Sequence, residues 1–320
     1  MGKTFRLVLA ALAICAAGVW IGVARADDSK PLKLAFVTNN ASSYWDVAKA
    51  GCKKAEQEVP NVTVQVMIPS EQTAAEQQRI LDNLVSAGYD GIAISPADPA
   101  HQTDTLNEVA SHCLLITQDS DAPNSNRVCY LGTDNEAAGE LCGQLINKAL
   151  PDGGKIILFV GTMDAQNARD RVTGIKKTLN SNITIIDTRT DESDRDRAKA
   201  NVEDTLAKYP DIGCLVGLYS YNGPIIATVL RDSGKKGVVK EVCFDYDQGV
   251  PEGIKDGTIS AAVAQQPFEF GRQAVHFMAD YLRGNNPTIP ADKQIFIPTK
   301  AIDSSNVDQF VADLKAASGK

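Results

Sequence analysis

Two adjacent aromatic residues, Tyr44 and Trp45, follow a short polar run in the sequence. That run contains Asn39, Asn40 and Ser43. The flat face of an aromatic ring packs against C–H bonds, while amide and hydroxyl groups exchange hydrogen bonds with hydroxyls. Together these side chains have the chemistry needed to hold a hydroxyl-rich ligand such as a sugar. Aromatic pairs are also common in hydrophobic cores, and that interpretation stays open for Tyr44 and Trp45.

Charged and amide side chains follow several other apolar runs: Asp119, Arg169, Asp245 and Gln265. A ligand hydroxyl can donate to a carboxylate and accept from a guanidinium or amide group, and charge-assisted bonds are the stronger ones. Five further loop residues complete the predicted site: Ser95, Ser120, Ser220, Tyr221 and Asn222. Taken singly, each residue fits a solvated loop or a helix cap better, so the prediction depends on their coincidence.

Catalytic and nucleotide-binding motifs are absent from the sequence. There is no G-x-S-x-G elbow, no G-x-G-x-x-G after a strand and no G-x-x-x-x-G-K-[ST] loop. The three histidines are far apart, and no Cys/His pair has zinc-ligand spacing. We therefore expect no enzyme activity, no metal and no cofactor. The alternative is a secreted sugar hydrolase in which Asp119 and Asp245 form an acid–base pair.

The charge of the chain limits its partners. Lys and Arg number 32 against 40 Asp and Glu, which gives a formal net charge of −8. Nucleic acids and anionic membrane surfaces are bound through excess Lys and Arg, so neither is expected as the main partner.

The first 26 residues have the pattern of a secretory signal peptide. Lys3 and Arg6 precede an apolar run over residues 7–23, and Ala24-Arg25-Ala26 is an A-x-A cleavage site. We therefore predict export to the periplasm, with cleavage before Asp27. A membrane anchor is the alternative for the apolar run, and lipidation at Cys15 is a second one.

Export makes disulfides permissible. Six cysteines remain after cleavage: Cys52, Cys113, Cys129, Cys142, Cys214 and Cys243. The pairs Cys113 with Cys129 and Cys214 with Cys243 stand at the starts of neighbouring predicted strands and are disulfide candidates. Buried free thiols are the alternative, because a chain of this length can build its cores without cross-links.

Short β-rich runs alternate with helical segments along the rest of the chain, and the pattern restarts after Pro151-Asp152-Gly153-Gly154. Continuous apolar runs such as residues 156–160 are typical of parallel strands that are buried on both faces. Two sets of about five such units predict an α/β fold with two doubly wound, Rossmann-like lobes. Ligands bind such sheets beyond the carboxyl ends of the strands, where the polar residues named above are placed.

The order and spacing of six short motifs resemble those of one known family. The motifs are Tyr44-Trp45 with Gly51, residues 91–96, residues 132–135 with Gly139, residues 168–171 with Gly174, Phe244-Asp245 with Gly257, and residues 264–267. From about residue 33 to residue 302 the sequence resembles the ribose-binding-protein branch of the type I periplasmic binding proteins, the soluble receptors of bacterial sugar importers.

The resemblance implies two lobes joined by a three-strand hinge, with crossings near residues 133–136, 265–268 and 297–300. The implied lobes are residues 27–134 with 268–296 and residues 135–267 with 297–320. The implied function is to capture a monosaccharide or related polyol between the lobes, as a monomer, and to deliver it to an ABC-transporter permease. Service to a chemoreceptor is a further implied role.

The resemblance also assigns positions in the cleft. The family's aromatic pair falls on Tyr44 and Trp45, with its cleft asparagine near Ser42 or Ser43. A cleft arginine falls on Arg169, and the remaining matches are Asp119, Ser220, Asp245 and Gln265. Ser120 stands where the family has a second arginine, and an aromatic residue is absent from residues 191–193. These two departures favour a sugar other than ribose.

Overall fold

A computed structural model describes residues 30–42 and 44–318 of the 320-residue chain. The predicted signal peptide, Cys15 and the predicted site residue Ser43 lie outside the described residues. Within the described ranges, no helix is both long and apolar enough to cross a membrane.

The first of two sheets has six parallel strands in the order β11-β5-β4-β3-β1-β2. Its strands are β1 (Leu32–Val37), β2 (Val62–Met67), β3 (Gly91–Ile94), β4 (Leu114–Gln118), β5 (Tyr130–Gly132) and β11 (Gln294–Phe296). Its helices are α1 (Tyr44–Glu58), α2 (Ala74–Ser86), α3 (Thr103–His112) and α9 (Pro267–Leu282). In β1, Leu34 and Phe36 pack on the α1/α9 side and Ala35 and Val37 on the α2/α3 side. This two-sided burial explains the continuous apolar run.

The second sheet has the order β12-β10-β9-β8-β6-β7. Its strands are β6 (Gly154–Val160), β7 (Ile183–Thr190), β8 (Ile212–Gly217), β9 (Lys240–Phe244), β10 (Ala261–Ala264) and β12 (Lys300–Ile302). Its helices are α4 (Asn135–Ala149), α5 (Gln166–Thr178), α6 (Arg195–Lys208), α7 (Asn222–Asp232), α8 (Val250–Lys255) and α10 (Val307–Ser318). Its strands run parallel except β12, which pairs antiparallel with β10. The predicted α/β fold with two parallel-sheet lobes is confirmed.

Three short segments carry the chain between the sheets. Residues 133–134 link β5 to α4, residues 265–266 link β10 to α9, and residues 297–299 link β11 to β12. After the second segment, α9 packs closely on α1. A Cβ atom built at Gly51 would lie 1.9 Å from the carbonyl oxygen of Phe268, so no larger residue fits there. The first sheet therefore takes a covering helix and an edge strand from the far end of the chain.

Helices α4 and α5 make an equally close contact in the second lobe. A Cβ atom at Gly139 would lie 2.2 Å from the carbonyl oxygen of Arg171, and one at Gly174 would lie 2.0 Å from that of Glu136. These glycines let the two backbones touch. They thereby set the position of α5, the helix that carries Arg171.

The six described cysteines are free thiols, which corrects the two disulfide candidates. Cys214 is paired in register with Lys240, three residues before Cys243, so the two cysteines lie on opposite faces of the sheet. Cys113 and Cys129 likewise pack in cores on opposite faces of the first sheet. A disulfide needs Cβ atoms that face each other at about 4 Å, which this geometry forbids.

Candidate ligand-binding site

A pocket of about 330 Å³ lies between the lobes, where the carboxyl ends of both sheets meet. Nine of the residues predicted from the sequence line it: Asn39, Asn40, Tyr44, Trp45, Asp119, Ser220, Tyr221, Asp245 and Gln265. Four other residues complete the lining: Ser42, Asn167, Arg171 and Tyr219. The rule that ligands bind beyond the carboxyl ends of parallel strands therefore located this pocket.

The aromatic wall of the first lobe begins with the first turn of α1. Tyr44 and Trp45 meet edge to face with ring centroids 4.9 Å apart, and Trp45 packs in the same way on Phe36 at 6.1 Å. The indole Nε1 of Trp45 donates to Oδ1 of Asn40 at 3.1 Å. Both rings belong to the hydrophobic core and also line the pocket, so the two interpretations of this pair apply together.

Asp119 follows β4 and has a left-handed backbone with a φ of 60°. Its carboxylate accepts from Ser95 Oγ at 2.8 Å, from Tyr44 Oη at 3.3 Å and from Asn167 Nδ2 at 3.4 Å. Burial raises the pKa of Asp119, while the positive charge of Arg171 and the hydrogen bonds from Ser95 and Tyr44 oppose the rise. The carboxylate is thus held in place, and Asn167 of the other lobe reaches it.

Asp245 repeats this arrangement in the second lobe. It follows β9 with a φ of 66°, and its carboxylate accepts from the backbone nitrogen and Nε2 of Gln265 at 3.1 and 3.2 Å. Burial raises the pKa of Asp245 to about 6, against the opposing effects of Arg171 and Gln265. Aspartate tolerates the left-handed region better than most residues, which suits it to this turn.

Arg171 supplies the guanidinium of the pocket, which corrects the expectation for Arg169. The side chain of Arg171 is 1% exposed, and its guanidinium lies 4.3 Å from the ring centre of Phe244. Its Nε donates to Asn135 at 3.0 Å and its Nη1 to the carbonyl of Leu218. Arg169 instead donates to the carbonyl oxygens of residues 163 and 164, outside the pocket.

Helical geometry explains this difference. Residues two positions apart on a helix point to nearly opposite sides, whereas residues four apart share a face. Asn167 and Arg171 have the latter spacing on α5, and both line the pocket. Neither Asn167 nor Arg171 was predicted from the sequence, and their spacing is the signal in the sequence that could have identified both.

Three predicted residues lie behind the lining. Ser95 is buried and supports Asp119, as described above. Asn222 accepts from the backbone nitrogen of Tyr219 at 3.0 Å and donates to Asp191 at 3.1 Å. Ser120 is buried and its hydroxyl has no partner among the described residues.

Four buried polar atoms on the lining residues have no hydrogen-bond partner among the described residues: Asn39 Oδ1, Asn167 Oδ1, Arg171 Nη2 and Gln265 Oε1. An unpaired buried polar group costs about 1–3 kcal/mol. Three acceptors and one charged donor are therefore available to a ligand. Within residues 30–42 and 44–318, no group of three or more His, Cys, Asp or Glu side chains is arranged to hold a metal ion.

Comparison with known proteins identifies the family. A family model for the periplasmic binding protein domain matches residues 34–286. The chain belongs to the periplasmic binding protein family. The resemblance to type I periplasmic binding proteins that the sequence motifs indicated is thereby confirmed.

This periplasmic binding protein is similar to several characterised relatives. It is 26% identical over 239 residues to the ribose import binding protein of Bacillus subtilis. The aligned residues cover 73% of this chain and 75% of that one. It is 21% identical over 310 residues to the D-ribose/D-allose-binding protein of Pseudomonas aeruginosa, covering 93% and 97% of the two chains.

Solved structures give the same result. An ABC-transporter solute-binding protein from Burkholderia graminis in complex with D-arabinose superposes with a TM-score of 0.81 and 29% identity, covering 87% of this chain and 96% of that one. A glucose-galactose binding protein from Geobacillus stearothermophilus superposes with a TM-score of 0.80 and 26% identity, covering 87% and 99%.

In this periplasmic binding protein, hydrogen bonds join the two lobes across the cleft. Ser42 Oγ lies 3.2 Å from Ser220 Oγ, and the Asn167–Asp119 bond crosses the same gap. Nearer the surface, Ser193 Oγ donates to Gln72 Oε1. The lobes are therefore in contact around the pocket, and the lining residues of both face the same space.

Proposed function

We propose that this protein is the solute-binding component of an ABC importer and that it binds a monosaccharide or related polyol between its lobes. One observation carries the proposal. Two buried aspartates, a buried arginine and three amides with unpaired atoms surround a single aromatic-walled pocket.

The lining matches the two-sided chemistry of a sugar ring. Asp119 and Asp245 can accept from hydroxyl groups, and the unpaired Nη2 of Arg171 can donate to a hydroxyl or ring oxygen. The rings of Tyr44 and Trp45 provide apolar contact for C–H bonds. Two carboxylates against one guanidinium also make the pocket unfavourable for an anionic ligand, so a neutral sugar fits better than a sugar acid or sugar phosphate.

The relatives support the same class of ligand. The names of similar proteins include ribose, ribose and allose, and glucose and galactose as ligands, and one similar structure contains D-arabinose. Periplasmic location follows in this proposal from the signal-like segment at residues 1–26, and delivery to a permease from the import role of such relatives.

Binding in this proposal proceeds by closure of the two lobes. The lobes are residues 27–134 with 268–296 and residues 135–267 with 297–320, and they turn about the three crossing segments. A ligand held on one lobe completes its hydrogen bonds when the other lobe arrives. It therefore binds the closed state more tightly and shifts the population toward it.

Calorimetry with a panel of pentoses, hexoses, amino sugars and cyclitols tests the proposal. We expect at least one sugar to bind, with a thermal stabilisation that grows with its concentration. Asp245→Ala should abolish binding while the folded state persists, because it removes a charged acceptor from the pocket. Asp187→Asn, at an exposed carboxylate on β7, is the matched control and should bind normally.

Two results would count against the proposal. Absence of binding to every member of the panel would refute the sugar assignment. Steady release of chromophore from a nitrophenyl glycoside that depends on Asp119 and Asp245 would favour the hydrolase alternative instead.

A further inference from the structure

The ligand pocket adjoins a second, larger cavity at the mouth of the cleft. This outer cavity is open to solvent and has a volume of about 1230 Å³, and it is lined by residues 70–73 and 192–196. Asn40, Ser42 and Tyr221 line both the pocket and the outer cavity. Of these three, Tyr221 has the largest side chain, and it stands at the boundary between the two spaces.

The hydroxyl group of Tyr221 is bound to a buried carboxylate outside both linings. Asp191 is 0% exposed and accepts from the Tyr221 hydroxyl, from Asn222 Nδ2 at 3.1 Å and from the backbone nitrogen of Ser193 at 2.9 Å. Asp191 follows β7 and its own backbone nitrogen donates to the carbonyl of Val160 at 3.1 Å. The carboxylate is thus fixed to the end of the sheet.

Two further contacts restrict the ring of Tyr221. Tyr219 meets it edge to face, with ring centroids 6.2 Å apart, and the guanidinium of Arg195 lies 5.8 Å from its centre. Tyr221 is 3% exposed although it borders a large cavity. A ring held at its hydroxyl end and on its sides has few other rotamers open to it, so it acts as a rigid wall.

We propose that Tyr221, held by Asp191, is a partition that limits the ligand to a single sugar ring without a bulky substituent. Tyr221 is then a specificity-determining residue, and Asp191 is a positioning residue that acts through it. The inference rests on the proposed function and adds the residues that would exclude a glycoside of the same sugar. With the partition removed, the pocket and the outer cavity merge into one longer site.

Calorimetry with free sugars and their methyl and nitrophenyl glycosides tests the partition. Wild type should bind its best free sugar at least about tenfold more tightly than the glycosides of that sugar. In Tyr221→Ala the free sugar should lose about tenfold in affinity, while the ratio of glycoside to free-sugar affinity rises by at least about tenfold. Tyr221→Ser serves if the alanine variant does not fold.

Variants of Asp191 distinguish a role in positioning Tyr221 from a general contribution to the stability of the fold. Asp191→Ala should raise the glycoside ratio in the same direction as Tyr221→Ala, because the ring loses its anchor. Asp191→Asn keeps an acceptor for the hydroxyl and should restore most of the wild-type selectivity. Asp187→Asn on the same strand should leave the selectivity unchanged. A merely structural role for Asp191 would lower the melting temperature without moving the ratio.

The outcomes distinguish this inference from the proposed function. If wild type binds no sugar, the proposed function fails, and the partition fails with it. If wild type binds a sugar but accepts its glycosides equally well, or if Tyr221→Ala and Asp191→Ala leave the ratio unchanged, the partition alone is overturned.

Discussion

Protonation of Asp245 is expected to control ligand affinity. Burial raises the pKa of this carboxyl group to about 6, despite the nearby charge of Arg171 and two hydrogen bonds from Gln265. An ionised carboxylate accepts a charge-assisted hydrogen bond from a ligand hydroxyl, and a protonated one offers only a weaker neutral bond. Affinity should therefore decrease as the pH falls through 6.

The size of the effect follows from that pKa. If the ligand binds the ionised form alone, the apparent dissociation constant rises by a factor of one plus the ratio of protonated to ionised Asp245. With a pKa of about 6, this factor is about 11 at pH 5 and about 1 at pH 8. Because burial also raises the pKa of Asp119, a second proton can make the decrease steeper.

The stability of the ligand-free protein should depend on pH in the opposite sense. The folded pKa of Asp245 is raised above the ordinary value of 3.8, so its protonated form is favoured by folding. The resulting stability is present in full below pH 3.8 and is lost as the pH rises through about 6. Asp191, whose pKa burial also raises to about 6, contributes with the same sign. Weak binding at pH 5 therefore cannot be attributed to loss of these groups' contribution to folding.

Calorimetric titrations of the best-binding sugar at pH 5, 6, 7 and 8 measure this dependence. Asp245→Asn should bind weakly at pH 8 and should lose most of the decrease toward pH 5, whereas Asp187→Asn should behave as wild type. A wild-type affinity that is constant from pH 8 to pH 5 would refute the reasoning. An equally steep decrease in Asp245→Asn would assign the titration to another group.

Three further predictions concern other residues. Arg171→Ala should weaken sugar binding by about 10- to 100-fold and Arg169→Ala by less than about threefold, as measured by calorimetry, and equal losses would contradict the assignment of the guanidinium. Glu241→Leu should raise the free energy of unfolding in urea by about 1–2 kcal/mol, because this buried carboxyl has no hydrogen-bond partner among the described residues. The gain should be larger at pH 8 than at pH 5, because burial raises the pKa of Glu241 and its ionised form is the costlier one to bury. A loss of stability would show that the carboxyl group does have a hydrogen-bond partner in the folded protein. Gly139→Val should lower the melting temperature and weaken binding, since its side chain would collide with the backbone of Arg171; unchanged affinity would mean that α5 can shift freely.

The sequence predicted the parts of the fold that rest on period and burial. Apolar runs such as residues 156–160 predict buried parallel strands. In the structure Ile157 and Phe159 pack on one face of the sheet, and residues 156, 158 and 160 pack on the opposite face. Asp119 and Asp245 were recognisable because they directly follow such runs. The antiparallel pairing of β12 had no local signal, since it depends on where the chain crosses back to the second lobe.

The details that were not predicted depend on which side of a helix a residue faces and on the register between neighbouring strands. Arg169 and Arg171 differ by half a turn of one helix, and the start of that helix is not defined closely enough by its residues alone. Tyr219 ends an apolar run, which indicates a core residue, and it does pack in the core. It also lines the pocket, which the run does not indicate. The disulfide candidates failed because strand register, which places Cys214 and Cys243 on opposite faces, is set by contacts between strands.

The return of α9 and β11 to the first sheet has a consequence for biosynthesis. Until residues 267–296 have left the ribosome, the side of β1 that carries Leu34 and Phe36 lacks one of its two covering helices, and β5 lacks β11, one of its two neighbours. The nascent amino-terminal half therefore cannot reach its native state by itself. The first lobe is therefore completed only after the whole second sheet except β12 has been synthesised.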